Sequence, residues 1–285
     1  MTVALVSSRE ILEAARRGGY AVGAFNANNL EFVQGIVAGA LAERAPVIIQ
    51  ASPGAIKYIG LDYITALGQV AARSDIPVVL HLDHGEDVEL AKRCIAAGFS
   101  SVMYDGSRLP FAENVARTAE VVRAAHGARI ACEGELGRVP ASDRAWTRQE
   151  LMQLWTDPGE AARFVAATGV DALAVSVGSV HKMLESTAEI DVERVRRIKD
   201  ATGVPLVLHG ASGVAVKSLV EAVKAGIAKV NIATALSVAF VRAVRQAMAA
   251  RPDEVDPRPL LGPGRDAVAA EVVARIRLLG SSGRA

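Results

Sequence analysis

The sequence predicts a single-domain α/β protein, a (β/α)8 barrel of the TIM type, and three observations carry that prediction. Short apolar runs alternate with amphipathic stretches along a chain of 285 residues, near the length at which one such barrel closes. The runs are apolar on both faces, as parallel strands covered by helices must be. Several helix-like stretches end in glycine just before the next run, at Ala97-Gly98, Thr168-Gly169, Thr202-Gly203 and Ala225-Gly226, where a left-handed residue closes a helix. A doubly wound open sheet is the rival. The lack of a GxGxxG turn after the first run weakens it.

Taken in order, the first strand is expected over 21–26, after Gly18-Gly19 and up to the polar Asn26. The second and third open at prolines and cover 46–50 and 77–83, the latter reading Pro77-Val-Val-Leu-His-Leu-Asp83. The fourth covers 100–105 after Gly98, and the fifth 129–135 after Gly127. The sixth follows Gly169 over 171–177, the seventh covers 204–209 and ends on His209, and the eighth follows Gly226 over 228–232. Between them, amphipathic periodicity predicts helices over 30–44, 88–97, 111–125, 158–167, 192–201, 217–225 and 236–249. Two segments break the alternation. The stretch 137–156 is long and polar, with Pro140, Ser142, Asp143, Arg144 and Trp146, and its place after a strand end makes it a candidate mobile lid. The segment 251–285 opens as a tail rich in proline and charge, then gives a last helix over 265–279.

Composition narrows the function. A hydrophobic content of 51% supports a large core, and 32 Lys+Arg against 31 Asp+Glu leave a net charge of +1, so no global attraction to nucleic acid or membrane is expected. Cys94 and Cys132 are isolated and read as core thiols of a reducing compartment. The start, Met1-Thr-Val-Ala-Leu-Val6, lacks the basic segment and long apolar stretch of a secretory signal. No apolar run approaches the ~18 residues of a membrane span. A cytoplasmic enzyme acting on a small molecule fits these limits.

In a barrel the C-terminal ends of the strands share one face, where the active site is built. His84, His181, His209, Asp83, Asp105, Glu135 and Asn231 all fall at such ends. One strand-end histidine alone is more often structural. Three imidazoles from three strand ends leave a fourth coordination position open, which is what a catalytic metal needs. Asp83 beside the first of them supplies an acid–base group. Glu133 and Glu135 share a strand face, so one is expected as a buried salt-bridge partner, and Glu135 is favoured for the site. His81 and His126 read as structural or solvated. The glycine-rich junction His209-Gly-Ala-Ser-Gly213 can present backbone N–H groups to a phosphate.

These motifs resemble those of the class II, metal-dependent ketose-bisphosphate aldolases, most nearly the tagatose-bisphosphate aldolase branch. The resemblance runs through Gly19-Tyr-Ala-Val-Gly-Ala-Phe-Asn26, His81-Leu-Asp-His84, Ser101-Val-Met-Tyr-Asp-Gly-Ser107 and Glu133-Gly-Glu-Leu-Gly137. It continues through Thr168-Gly-Val-Asp-Ala-Leu-Ala174, Leu206-Val-Leu-His-Gly-Ala-Ser-Gly213, Lys229-Val-Asn-Ile-Ala-Thr234, Asp256-Pro-Arg258 and Gly283-Arg-Ala285. It implies reversible cleavage of a phosphorylated ketose into dihydroxyacetone phosphate and an aldehyde. Zn²⁺ is the implied cofactor, with a monovalent cation near the phosphate site as an optional companion. His84, His181 and His209 become the zinc ligands, Glu135 a carboxylate near the metal path, and Asp105 one at a secondary metal position. Asp83 becomes the group exchanging a proton with the C4 hydroxyl. Asn26, Gly210, Ser212, Asn231 and Thr234 become substrate-binding positions, the last four around the ketose-side phosphate. Ser52 and Arg258 match positions for the far phosphate. A homodimer or homotetramer is the implied assembly.

Two departures touch the chemistry. Where the resemblance implies Gly-Gly-X-Glu-Asp after the fifth strand, this chain has Pro140-Ala-Ser-Asp-Arg144. Asp143 stands in the position of a proton-transferring glutamate, one methylene shorter. Where it implies His-Gly-X-Tyr, the chain has His181-Lys-Met-Leu184, so Lys182 either replaces a backbone contact to phosphate by charge or obstructs the pocket. These departures keep two alternatives in view: a divergent aldolase acting on another keto-sugar or keto-acid, and a non-catalytic subunit that binds metal or sugar phosphate.

Overall fold

A computed structural model describes residues 5–144, 146–183 and 185–285. The opening residues 1–4, Ala145 of the candidate lid and Leu184 of the segment after His181 lie outside the described residues. Eight parallel strands form a closed barrel: β1 (Val22–Asn26), β2 (Val47–Ala51), β3 (Val78–Gly85), β4 (Ser101–Tyr104), β5 (Ala131–Leu136), β6 (Ala172–Val175), β7 (Leu206–Leu208) and β8 (Ile227–Ile232). β1 pairs with both β2 and β8, which closes the ring and leaves no sheet edge.

Alternation along each strand sorts its residues into two layers. Phe25, Ile49, Leu80, Leu82, Val102, Leu173, Leu206 and Val230 point outward into the layer between sheet and helices. Val22, Ala24, Ile48, Val79, Met103, Ala172 and Val207 point inward. The first helix, α1 (Ser8–Gly18), packs Ile11, Leu12 and Ala15 on these inward residues near the strand starts. Its N-terminus is capped by Ser7, and it closes on Gly19 at φ 67°. That end of the barrel is therefore filled, and the opposite end is left for a site.

The outer helices are α2 (Leu30–Ala42), α3 (Pro53–Ile59), α4 (Leu61–Ala71), α5 (Val88–Ala97), α6 (Phe111–Gly127), α7 (Arg148–Leu154), α8 (Pro158–Thr168), α9 (Val192–Thr202), α10 (Val216–Ala225), α11 (Thr234–Ala250) and α12 (Pro257–Leu279). Cys94 and Cys132 are buried and unpaired, and no described helix is long and apolar enough to cross a membrane.

Two expectations change. The tail before residue 265 is already helical, because α12 starts at Pro257 with Asp256 accepting from the Arg258 backbone N–H at 2.9 Å. Pro257 and Pro259 stand in the first turn, where proline removes only N–H groups that have no intrahelical partner, while Pro263 lies inside the helix, so a proline-rich stretch that reads as a tail is helical. The stretch 137–156 likewise holds a helix, α7. Thr147 and Glu150 cap it reciprocally: each side chain accepts a hydrogen bond from the other's backbone N–H.

Candidate active site

The C-terminal mouth of the barrel holds a cavity of about 490 Å³. Asn26, Asp83, His84, Asp105, Glu135, Asp143, His181, Lys182, Gly210, Ser212, Asn231 and Thr234 all line it. His209, fully buried, stands against it through His84.

Asp83 and His84 are consecutive, so strict alternation would turn one of them away. The β3–β4 register shifts between Leu82 and Gly85, and His84 takes a φ of 50°. This bulge turns two successive side chains into one cavity, at the cost of a left-handed backbone that histidine rarely adopts. His181 follows β6 on a loop that is stitched to the stretch after β5. The His181 N–H donates to the Pro140 carbonyl at 2.8 Å, and the Ser142 N–H donates to the His181 carbonyl at 2.9 Å. The stretch after β5 and the backbone carrying His181 are therefore tied to each other.

The three imidazoles converge. His84 Nε2 lies 2.8 Å from His209 Nδ1, and the His84 and His181 ring centroids are 5.0 Å apart. One ligand atom from each of the three rings lies within 4.8 Å of the other two, and the same holds for His84, Asp105 and Glu135. On two of the rings the remaining nitrogen is engaged. His84 Nδ1 is 2.8 Å from Asp105 Oδ2, and His209 Nε2 is 3.0 Å from Glu133 Oε1. Such partners set the tautomer and orientation of a metal-ligating imidazole. Asp105 is fixed in turn by the Ser107 backbone N–H, 3.1 Å from Oδ1.

Asp83 is clamped by two amides. Asn26 Nδ2 donates to Oδ2 at 2.7 Å, and Asn231 Nδ2 donates to Oδ1 at 3.1 Å. Asn26 is itself held by Gln50, whose Nε2 donates to Asn26 Oδ1 at 2.7 Å. Burial by itself would raise the Asp83 carboxyl, but the charges of His84, His209 and Lys229 and the Asn26 hydrogen bond hold it below the usual carboxylate range. Burial likewise opposes charge on His84, yet Asp83, Asp105 and Glu135 outweigh it and raise that imidazole to about 10. His181 is pushed down to about 4, by burial and by His84. Burial and the Asp105 carboxylate push Glu135 well above the carboxylate range.

This donor set fits a divalent cation. Carboxylates crowd the imidazoles strongly enough to hold a positive charge on one of them. Among the described residues, the buried Glu135 Oε2 and Asn231 Oδ1 have no hydrogen-bond partner, and Glu135 Oε2 lies 3.8 Å from His84 Nδ1. Three nitrogens backed by carboxylates suit zinc better than the all-oxygen shells preferred by magnesium or calcium.

Two expected substrate positions do not reach this cavity. Ser52 is turned to its own helix, where its Oγ accepts from the Ala55 N–H at 3.3 Å. Arg258 lies at the start of α12, with its side chain 88% exposed and paired with Asp256. Conversely, Arg108, Arg138 and Ser107 line the cavity though nothing in the sequence reading singled them out. Ser107 and Arg138 directly follow glycines just past strand ends, Gly106 and Gly137, a position that could have marked them. Glu133, expected as a salt-bridge partner, pairs with Lys229 and also supports His209.

Gly210 shows how closely the loops approach. Its φ is 69°, and a Cβ there would lie 2.9 Å from the Val180 carbonyl oxygen and 3.3 Å from the His181 nitrogen. Gly210→Ala is expected to displace His181 and cut kcat by about 10²-fold. An unchanged kcat in a folded Gly210→Ala enzyme would contradict this placement.

A closed barrel with three imidazoles and a buried carboxylate at its C-terminal mouth is the architecture of a barrel enzyme, with a donor set that fits a cation. The chain belongs to the fructose-bisphosphate aldolase class-II family, whose model matches residues 6–284, and is thus an aldolase, a carbon–carbon lyase. It is 41% identical over 288 residues to the fructose-bisphosphate aldolase of Geobacillus stearothermophilus, covering 99% of each chain. It is 40% identical to that of Giardia intestinalis over 308 residues, covering 99% of this chain and 94% of the relative. Among solved structures, the YdjI aldolase from Escherichia coli K12 superposes with a TM-score of 0.86 at 34% identity over 99% of both chains.

Proposed function

We propose that the enzyme is a zinc-dependent aldolase that reversibly cleaves a phosphorylated ketose, of the fructose or tagatose 1,6-bisphosphate type, into dihydroxyacetone phosphate and an aldehyde. The observation that carries this reading is the clamped Asp83, whose Oδ1 lies 4.0 Å from His84 Nε2 within the imidazole cluster. His84, His181 and His209 would hold the zinc, with Glu135 and Asp105 beside them. Zinc bound there supplies a Lewis acid for the negative charge that develops on the ketone oxygen when the bond breaks.

The chain's own residues do the rest. Asp83 removes the C4 hydroxyl proton as the C3–C4 bond breaks and returns it in the reverse direction. Asn26 and Asn231 hold both carboxylate oxygens so that this proton has one acceptor geometry. Asp143, on the stretch over the cavity, exchanges the proton at the carbon of the enediolate. Gly210, Ser212, Asn231 and Thr234 surround the ketose-side phosphate. Ser212 Oγ already accepts from the Ala235 N–H at 3.2 Å, beside the N-terminus of α11, where an anion is favoured. Arg258 lies outside its own chain's cavity, so a role at the far phosphate carries with it a homodimer or homotetramer in which a second copy supplies this arginine.

Activity with each bisphosphate and with the corresponding monophosphates tests the reading. Cleavage of a bisphosphate ketose at a kcat/KM well above that of any monophosphate supports it, and the reverse preference overturns it.

Lys182 motivates a second reading, in which the enzyme is a divergent aldolase for another keto-sugar or keto-acid. It holds a φ of 61°, a conformation natural to the glycine implied at this position and strained for lysine. No ion pair engages it among the described residues. If its charge grips the ketose-side phosphate, Lys182→Met raises KM by about tenfold with little change in kcat, as expected for loss of a charge-assisted hydrogen bond. A lower KM in that variant would show instead that the side chain obstructs the pocket.

A further inference from the structure

The barrel interior contains a buried polar chain that the reaction itself does not use. Lys229, on β8, is fully buried. Its Nζ lies 2.6 Å from Glu133 Oε2 and 3.1 Å from His81 Nε2. His81 Nδ1 is 2.8 Å from Ser101 Oγ, which is 2.8 Å from Ser8 Oγ on α1. At the other end, Glu133 Oε1 meets His209 Nε2 at 3.0 Å. One line of hydrogen bonds thus runs from α1 at the closed end of the barrel to the imidazole cluster at the open end.

The chemistry of lysine gives this line a direction. An ammonium group has three donors and no acceptor. Lys229 therefore donates to His81 Nε2, which leaves the His81 proton on Nδ1 to donate to Ser101 Oγ, and the Ser101 and Ser8 hydroxyls share a hydrogen bond in either direction. Lys229 also donates to Glu133 Oε2, so that Glu133 Oε1 is free to accept the Nε2–H of His209. The Nδ1 lone pair of His209 is then the one that faces His84 and the cluster.

Stability alone does not account for a lysine here. Barrel interiors are ordinarily filled by layers of apolar side chains, and a buried ion pair is often no better for stability than apolar residues of the same volume. We propose that Lys229 is a positioning residue that acts through Glu133 to fix the tautomer and orientation of His209 as a metal ligand. This inference rests on the reading of the three imidazoles as the metal site.

The test is equilibrium binding of Zn²⁺ alone, by competition with a chromophoric chelator, to the intact enzyme and to Lys229→Met, Glu133→Gln and the double variant. Loss of an outer partner typically costs 10–100-fold in metal affinity, and about that loss is expected in each single variant. The double variant should bind no more weakly than the worse single one, because the two residues act in series. Lys229→Met leaves Glu133 without its cation and can fail to fold. The double variant removes both charges and keeps the inference testable. Wild-type zinc affinity in a folded Lys229→Met or double variant would overturn it. Failure of the wild-type enzyme to bind zinc would instead overturn the proposed metal site.

Discussion

Asp83→Asn is expected to lower kcat for ketose cleavage by about 10²–10⁴-fold, the contribution of a positioned general base, while leaving bound zinc in place. Asparagine keeps the shape of the side chain and loses the ability to take a proton. It also changes the local hydrogen bonding. Both oxygens of Asp83 accept from amide groups, of Asn26 and Asn231, so an amide NH₂ at position 83 faces a donor on one side. Asn26 already spends its oxygen on Gln50, whereas Asn231 Oδ1 has no partner among the described residues, so a flip of the Asn231 amide accepts the new NH₂ and keeps the variant folded. Steady-state kinetics with parallel metal analysis check this. A variant with zinc retained and kcat within tenfold of wild type would remove Asp83 from the role of base.

The second large effect concerns the metal. Chelation is expected to abolish retro-aldol turnover, and Zn²⁺ to restore it. The same binding should stabilise the fold, because a site of three imidazoles from three strands exists only in the native state. At a free zinc concentration of about 1,000 times its Kd, linkage gives roughly 4 kcal/mol, read as a rise in Tm by calorimetry. His84→Ala should remove most of both effects, since that ring bridges His209 and Asp105. Turnover that survives chelation with no metal bound would sink the zinc reading.

Much of this architecture is legible in the sequence. Apolar runs between helix-closing glycines place the eight strands to within a few residues, because strands covered on both faces must be apolar throughout. The polar residue ending each run marks the open mouth of the barrel, which is how Asp83, Asp105, Glu135 and Asn231 are found without coordinates. Other features are hidden for physical reasons. Nothing around Lys229 in the sequence names its partner, and only the closed ring brings its side chain to Glu133 across the barrel interior. The prolines near residue 257 suggest a tail, because the same residue breaks a helix inside and tolerates its first turn. Arg108 and Arg138 lie in loops, where no periodicity says which way a side chain points.

The sequence by itself determines the kind of chemistry available here: three strand-end imidazoles, an adjacent carboxylate and glycine-rich junctions, set at intervals that one barrel brings to one face. Those are local matters of residue type and spacing, and they survive without knowledge of the packing. Only the tertiary structure decides which side chains share the cavity. The bulge that turns both Asp83 and His84 inward depends on a register shift against β4. The exclusion of Ser52 and Arg258 depends on helices α3 and α12, which hold those side chains in their own first turns. Contacts between residues far apart in sequence are set by backbone geometry summed over the whole barrel, and no local pattern of amino acids encodes that sum.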